Sequence, residues 1–472
     1  MTTVAAPAQT SNRLGFTSLE AETDLATLPV RGALPPWLTG SLLRTGPAKW
    51  EVGDEAYRHW FDGLAMLHRF AFGDGGVSYR NRFLRGRTYR AAEETGAIPF
   101  PEFGTDPCRS IFKRLTSSFS PDFGDNANVN LARLGEEFVA MTETPIPVAF
   151  DPETLEAAGV PWSPPGQITT AHPHHDPQRG ELVNFAARLG PRSSYRFFAQ
   201  RDRHRQRALG SLSVRTPGYV HSFGMTERFL VLAEFPFVVN PLRLALSGRP
   251  YIENYRWDPE RGTRFHLVER ETGERHGTWH TDQPMFAFHH VNAYEDGAGD
   301  VVVDMGAYED ATIMDALYLD PLRAGDSDLP TPRLRRARLG AGGSVAIEDR
   351  SPAPLELPRI NYGRVNARPH RWAWGLSTAR EGVWLDRIVK IDVETGEART
   401  WAQDGAYPGE PVFVARPGAG AEDDGVLLSV VLDSERRASS LLVLDASSLD
   451  EVARAEVPHH IPFGFHGQYA AA

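Results

Sequence analysis

The sequence predicts an all-β chain folded as a β-propeller, and three observations carry that expectation. Short runs rich in Val, Phe, Tyr, Leu and Thr recur along the whole chain, separated by Gly, Pro and Asp. Such runs read as strands and turns, whereas helix signals are sparse. One hairpin pattern repeats: a strand ends on Asp, a turn with Pro, Thr or Gly follows, and a second strand begins. It recurs at Asp151, Asp258, Asp392 and Asp445. Asp opens such turns by accepting bonds from nearby backbone, and Gly supplies positive φ. Degenerate hairpins across 472 residues, at roughly 40 to 60 residues per four-stranded blade, make seven or eight blades. An array of β-sandwiches would need linkers, and no charge block or Ser/Gly linker divides this chain.

Taken in order, residues 1–13 read as a disordered lead and 14–472 as one continuous domain, with Pro35, Pro36, Trp37 and Leu38 near its start. Strands are expected at 76–80, 138–142, 182–187, 229–234, 300–305, 382–392 and 426–432. Residues 416–425 read as a loop. No apolar run approaches the roughly 18 residues that a membrane span needs. The first residues lack the apolar segment of a secretory leader, so a cytoplasmic chain is expected.

Hydrophobic residues are 41% and charged residues 24% of the chain, which excludes a disordered, collagen-like or coiled-coil protein. Fifty Lys+Arg against 61 Asp+Glu give a net charge of −11. With no basic patch either, no nucleic-acid partner is expected. Lys49, Lys113 and Lys390 are the whole lysine complement, so Schiff-base chemistry has few candidates. Cys108 is the single cysteine, which excludes an intramolecular disulfide, a Cys-ligated zinc site and an iron–sulfur cluster. The 16 histidines remain as the supply of soft metal ligands.

Four histidines stand out by their surroundings. His172, His221, His289 and His466 each lie beside Phe, Tyr or Pro near an expected strand end, with gaps of 49, 68 and 177 residues. Those gaps place them on different blades, and no pair has the helical spacing of a zincin. Each alone reads more readily as a hydrogen-bonded histidine at a strand end than as a ligand. A propeller's inner strands face one axial channel, however, and could gather all four around a metal.

At these residues the chain resembles the carotenoid cleavage oxygenases. The likeness lies in LLRTGPAKWEVGDEAYRHWFDGLAMLHRF (42–70), MTETP (141–145), TAHPHHDP (170–177), YVHSFGMTERF (219–229), FHHVNAYED (288–296) and LELPRINY (355–362). It continues to the C-terminal IPFGFHG, so it spans essentially the whole body. The wording is nearest the animal β-carotene oxygenases and the retinoid isomerohydrolase of the eye. The resemblance implies a seven-bladed propeller with a dome of loops and helices over the metal-bearing face. It also implies a non-haem Fe(II) held by His172, His221, His289 and His466. His289 matches the family ligand rather than His290, and His172 rather than His174 or His175. Imidazole suits Fe(II), and four neutral ligands leave positions for O2 or water.

The resemblance also implies that Glu143 orients His221, Glu356 orients His289 and Glu410 orients His466, with no such partner for His172. The methyl of Thr142 would restrict O2 beside the metal. A tunnel for a polyene would be lined by Phe61, Phe103, Tyr219, Phe288, Tyr308 and Phe465, while Leu357 departs from the Phe of the isomerohydrolase pattern. The implied activity is cleavage of a conjugated C=C bond of a carotenoid or apocarotenoid with O2, retinal being one product class. A stilbene- or phenylpropene-cleaving oxygenase and a retinoid isomerohydrolase remain as alternatives. Residues 110–119 and 234–246 mix bulky apolar with basic side chains and are expected to touch a membrane peripherally. Phe112 leads the first segment, and Phe235, Phe237, Val238 and Leu242 lead the second. The sequence leaves the oligomeric state open.

Overall fold

Runs such as 426–432 and 229–233 are apolar at nearly every position because their strands, Gly425–Asp433 and Phe229–Glu234, are buried on both faces. A strand covered on one face alone would alternate. The structure, a computed structural model, describes residues 12–106, 123–325 and 328–472. Seven antiparallel sheets of four to six strands each, with two small two-stranded ribbons, make up its β structure. The sheets stack side by side as the blades of a seven-bladed propeller. Apolar clusters fill the spaces between neighbouring blades. Phe70, Phe72 and Tyr79 of the first blade, for example, pack with Val426, Leu428 and Val443 of the last.

The inner edges of the seven blades are short, except for the ten residues of Phe286–Glu295. In chain order they are Asn130–Leu134; Ile168–Thr169 with His174–Asp176; Gly224–Met225; Phe286–Glu295; Glu356–Arg359; Ala406–Pro408 with Val412–Ala415; and Gly467–Ala470. The two ends of the chain close the ring. Val30–Gly32 pairs with Glu451–Glu456 at the outside of the last blade. Gly467–Ala470 pairs with Gly40–Lys49 at the inside of the first.

Antiparallel order decides where long connections emerge. The chain runs down an inner strand, up the second, down the third and up the fourth. The link from second to third strand and the link into the next blade therefore leave on the face where inner strands begin. Residues 84–106 and 123–129, residues 235–262, and residues 309–325 and 328–332 all emerge there. They supply helices Arg87–Thr95, Pro241–Ser247, Ile313–Ala316 and Leu319–Ala324, and the ribbon of Phe237–Val239 with Tyr255–Trp257. Together they build the dome.

Several expectations need correction. Asn12 and Arg13 already belong to a 3-10 helix, Asn12–Phe16, whose Leu14 and Phe16 are buried, so the boundary after residue 13 is misplaced; residues 1–11 lie outside the described residues. The turns at Asp151, Asp392 and Asp445 do join paired strands. The turn at Asp258 does not: Tyr255–Trp257 pairs with Phe237–Val239, and Thr263–Glu269 pairs with Phe229–Glu234 and Arg275–Thr281. Of residues 382–392 only Arg387–Asp392 is strand. The rest is a dome loop carrying Trp384.

Segment 110–119, with Phe112, lies outside the described residues. In the second apolar segment Phe235, Phe237 and Val238 are core, at 2%, 7% and 0% exposure. Leu242 and Leu246 are the exposed ones, at 68% and 73%, on helix Pro241–Ser247. That helix starts because the Asn240 side chain accepts from Leu242 and Arg243 N–H (3.0 and 3.2 Å) with Pro241 in the first turn, a favourable N-cap. Gly248 ends it at φ 64°, where a side chain would be strained.

Candidate metal centre

Four inner edges deliver one histidine each to the axis. His172 sits where an inner strand is broken between Ile168–Thr169 and His174–Asp176. The Thr170 hydroxyl holds that break. It accepts the His172 N–H at 3.0 Å and donates to the His221 carbonyl. His221 precedes Gly224–Met225 and His466 immediately precedes Gly467–Ala470. His289 lies within Phe286–Glu295, where the pairing register shifts between Ala287 and His289 and again between His290 and Asn292. Such bulges re-aim side chains. His289 turns to the axis, while His290 turns away, its Nδ1 at 2.8 Å from the Ser222 hydroxyl.

One ligand nitrogen from each of His172, His221, His289 and His466 lies within 4.8 Å of the others. Nε2 of His172 is 3.0 Å from Nε2 of His221, and Nε2 of His289 is 3.2 Å from Nε2 of His466. Three of the rings meet a carboxylate on the opposite side. His221 Nδ1 is 2.7 Å from Glu143, His289 Nδ1 3.1 Å from Glu356, and His466 Nδ1 2.6 Å from Glu410. A ring that donates Nδ1–H to a carboxylate keeps a bare lone pair on Nε2. At 3.2 Å the lone pairs of His289 and His466 repel unless a cation lies between them. Two nitrogens on one ion, with bonds of about 2.1 Å at a right angle, would sit about 3.0 Å apart. The donor set therefore fits a metal ion.

The electrostatics agree. Burial, with neighbouring histidines, holds His172 and His289 well below the ordinary imidazole pKa. Burial also takes His466 down to about 4, with Glu410 opposing. These three are neutral ligands at neutral pH. The three carboxylates differ. Burial works to raise Glu410, but Arg359 and His466 outweigh it and hold the group below its usual value. Burial pushes Glu356 up to about 7, even though it accepts from Leu357 N–H (2.9 Å) and Tyr308 OH (3.3 Å). Glu143 accepts from Tyr219 OH at 2.6 Å.

Two cavities flank the cluster. The first, 80 Å³, is lined by His221, His289, His466, Phe61, Phe288, Tyr308 and Phe465, with Trp60, Trp384 and Phe463 beyond. The second, 1260 Å³, runs into the dome past Phe61, Phe103, Thr142, Glu143 and His221, and out to Leu242 and Leu246. Phe61, Val129 and His221 wall both. Of the six aromatics expected to line a tunnel, five line one of these two cavities. Tyr219 lines neither; it is 2% exposed and serves Glu143 instead. Sequence reasoning missed Arg359, which donates to Glu410 at 2.8 Å and to the Gly467 carbonyl. Its signal was a cation three residues past Glu356 in LELPRINY. Leu357 lies in the left-handed region at φ 46°, turned so that its N–H reaches Glu356.

Comparison with known proteins agrees with this geometry. Residues 16–471 match the family described as RPE65, retinal pigment epithelial membrane protein. The carotenoid-cleaving dioxygenase of Macaca fascicularis mitochondria is 34% identical over 93% of this chain and 91% of its own. The carotenoid isomerooxygenase of Galleria mellonella is 35% identical, with 93% and 92% covered. The crystal structure of cobalt-substituted Synechocystis apocarotenoid oxygenase superposes with a TM-score of 0.87, at 27% identity, over 98% of this chain and 99% of that one. By sequence along nearly its whole length, and by fold, the chain belongs to the carotenoid cleavage oxygenase family, which includes the retinal pigment epithelial membrane protein.

Proposed function

We propose that this protein is a non-haem Fe(II) dioxygenase that cleaves a conjugated C=C bond of a carotenoid or apocarotenoid into two carbonyl products. The observation that carries the reading is the meeting of four Nε2 atoms beside two cavities that share Phe61, Val129 and His221 as a wall. His172, His221, His289 and His466 would hold the iron, which when bound supplies O2 activation. Glu143, Glu356 and Glu410 hold three of the rings in the tautomer that leaves Nε2 free, as outer-sphere carboxylates do at other metal sites. Phe61, Phe288 and Phe465 exclude water and align the polyene, with one double bond at that shared wall and its two arms in the two cavities. Thr142 narrows the space beside His221.

Among the described residues no lysine lines either cavity, and Thr142 stands where a stilbene-cleaving relative would carry one. A buried phenolate would find no lysine to pair with there. Iron-loaded protein should therefore turn over apocarotenoids faster than 4-hydroxystilbenes, with two carbonyl products identified by mass. A preference for the hydroxystilbene, or an isomerised alcohol as the sole product, would reverse the assignment.

Among the described residues no helix is long and apolar enough to cross a membrane. We propose peripheral contact instead. Leu242 and Leu246, with Arg243 and Arg249 beside them, rim the dome cavity. An apolar and basic mouth suits a lipid surface, from which an apolar substrate would enter.

A further inference from the structure

The dome cavity is walled in part by Pro101, Glu102, Phe103 and Asp106. Glu102 stands in that wall with Phe61, Phe103, Thr142, Glu143 and His221. Its place is fixed from the backbone. Glu102 N–H donates to the Thr105 carbonyl at 2.8 Å. The Thr105 hydroxyl donates to Asp62 at 2.6 Å, and Gly104 N–H reaches the same carboxylate at 3.1 Å. Thr105 also accepts Arg58 N–H at 2.8 Å, and the Phe103 carbonyl accepts Ile252 N–H at 3.1 Å. The turn cannot swing, so the Glu102 side chain is carried by a rigid support.

Glu102 Oε1 is shielded from solvent and meets no hydrogen-bond partner. A carboxyl with a merely structural role would bond to the wall it stands in, because a buried polar group without a partner is costly. The charges that bear on it are acidic. Burial first, then Asp62 and Asp125, hold its pKa well above the usual value. Both influences favour the protonated form of the carboxyl, which can donate as well as accept. Beside Phe61 and Phe103, it is suited to one oxygen atom of a bound molecule.

We propose that Glu102 is a specificity residue that hydrogen-bonds an oxygen at the dome-side end of the substrate, so that polyenes ending in a hydroxyl or carbonyl are selected over equal-length hydrocarbons. This rests on the polyene-cleaving reading above and names the substrate class within it. A site built to bond an oxygen rejects an analogue lacking it, because its own polar group is then stranded.

The test uses three probes of equal length: an apocarotenal, its alcohol, and the polyene with a methyl group in place of the oxygen function. Anaerobic binding to iron-loaded protein is followed by tryptophan quenching, and cleavage is followed separately with O2. The parent should bind both oxygenated probes about tenfold or more tighter than the methyl-ended one. Glu102→Leu should bring the three together, and Glu102→Gln, which still donates and accepts, should keep most of the preference. In turnover the change should appear in KM rather than kcat. If Glu102→Leu fails to fold, the same ratio is read with Glu102→Met. A parent without the preference, or a preference that survives loss of the carboxyl, overturns the proposal. Cleavage of the methyl-ended probe by both proteins would support the polyene-cleaving reading whatever Glu102 does. Failure of the parent to cleave any probe, with the binding preference intact, would count against that reading alone.

Discussion

His289 and His466 present unprotonated nitrogens to each other at 3.2 Å, and this is the arrangement a cation must relieve. Replacing His172, His221, His289 or His466 by Ala should each abolish cleavage and lower bound iron, measured by elemental analysis. His290→Ala should keep its iron, because that ring turns toward Ser222 and away from the axis. A ligand variant with full iron and full activity would end the mechanism. The carboxylates should grade. Outer-sphere changes at metal sites cost about 10 to 100-fold in affinity or activity. Glu410→Gln should be the most severe, because it also strands Arg359 and the Gly467 N–H that Glu410 accepts at 2.9 Å. Equal iron affinity in Glu143→Gln, Glu356→Gln and Glu410→Gln would show that Arg359 adds nothing.

At the scale of elements, helix Pro241–Ser247 buries none of its residues, whereas the strand before it is core. The Phe237 ring lies 5.3 Å from Tyr255 and 6.0 Å from Phe286. Leu242→Asp with Leu246→Asp should weaken sedimentation with anionic vesicles and leave the melting temperature unchanged. Phe237→Asp should instead destabilise the fold by about 3 kcal/mol or more, as other losses of a buried aromatic do, visible as a lower melting temperature. Vesicle binding that survives the double Leu change would place the lipid contact elsewhere.

For the whole molecule, closure is the decisive contact. Four residues close to the C-terminus, Gly467–Ala470, form the inner edge of the first blade, where Gly467 pairs with Arg44 and Ala470 with Ser41. Gly467 also bonds Glu410 and Arg359. A chain ending at His466 keeps all four histidines, yet it should melt at a lower temperature and hold less iron, because the last ring loses its anchor. Unchanged melting and iron content would show that the other blade contacts suffice to keep the ring closed.

The sequence by itself determined what is local. Strand runs and Asp turns gave blades, since a turn needs only its own few residues, and the turns at Asp151, Asp392 and Asp445 connect paired strands as expected. The four histidines and three glutamates were legible through the long motifs that surround them, and the structure brings those seven residues together. Only the tertiary structure decided what depends on angular position around the axis. A strand buried on both faces shows no alternation, so the pattern of residues 234–246 could not separate the core residues Phe235, Phe237 and Val238 from Leu242 and Leu246. Asp258 follows the same local rule as the other turns, but its flanking strands belong to different sheets, and pairing across sheets leaves no mark in a four-residue turn. Tyr219 and Arg359 were an aromatic and a cation among many. Their bonds to Glu143 and Glu410 cross 76 and 51 residues, separations that only the closed ring reduces to hydrogen-bond length.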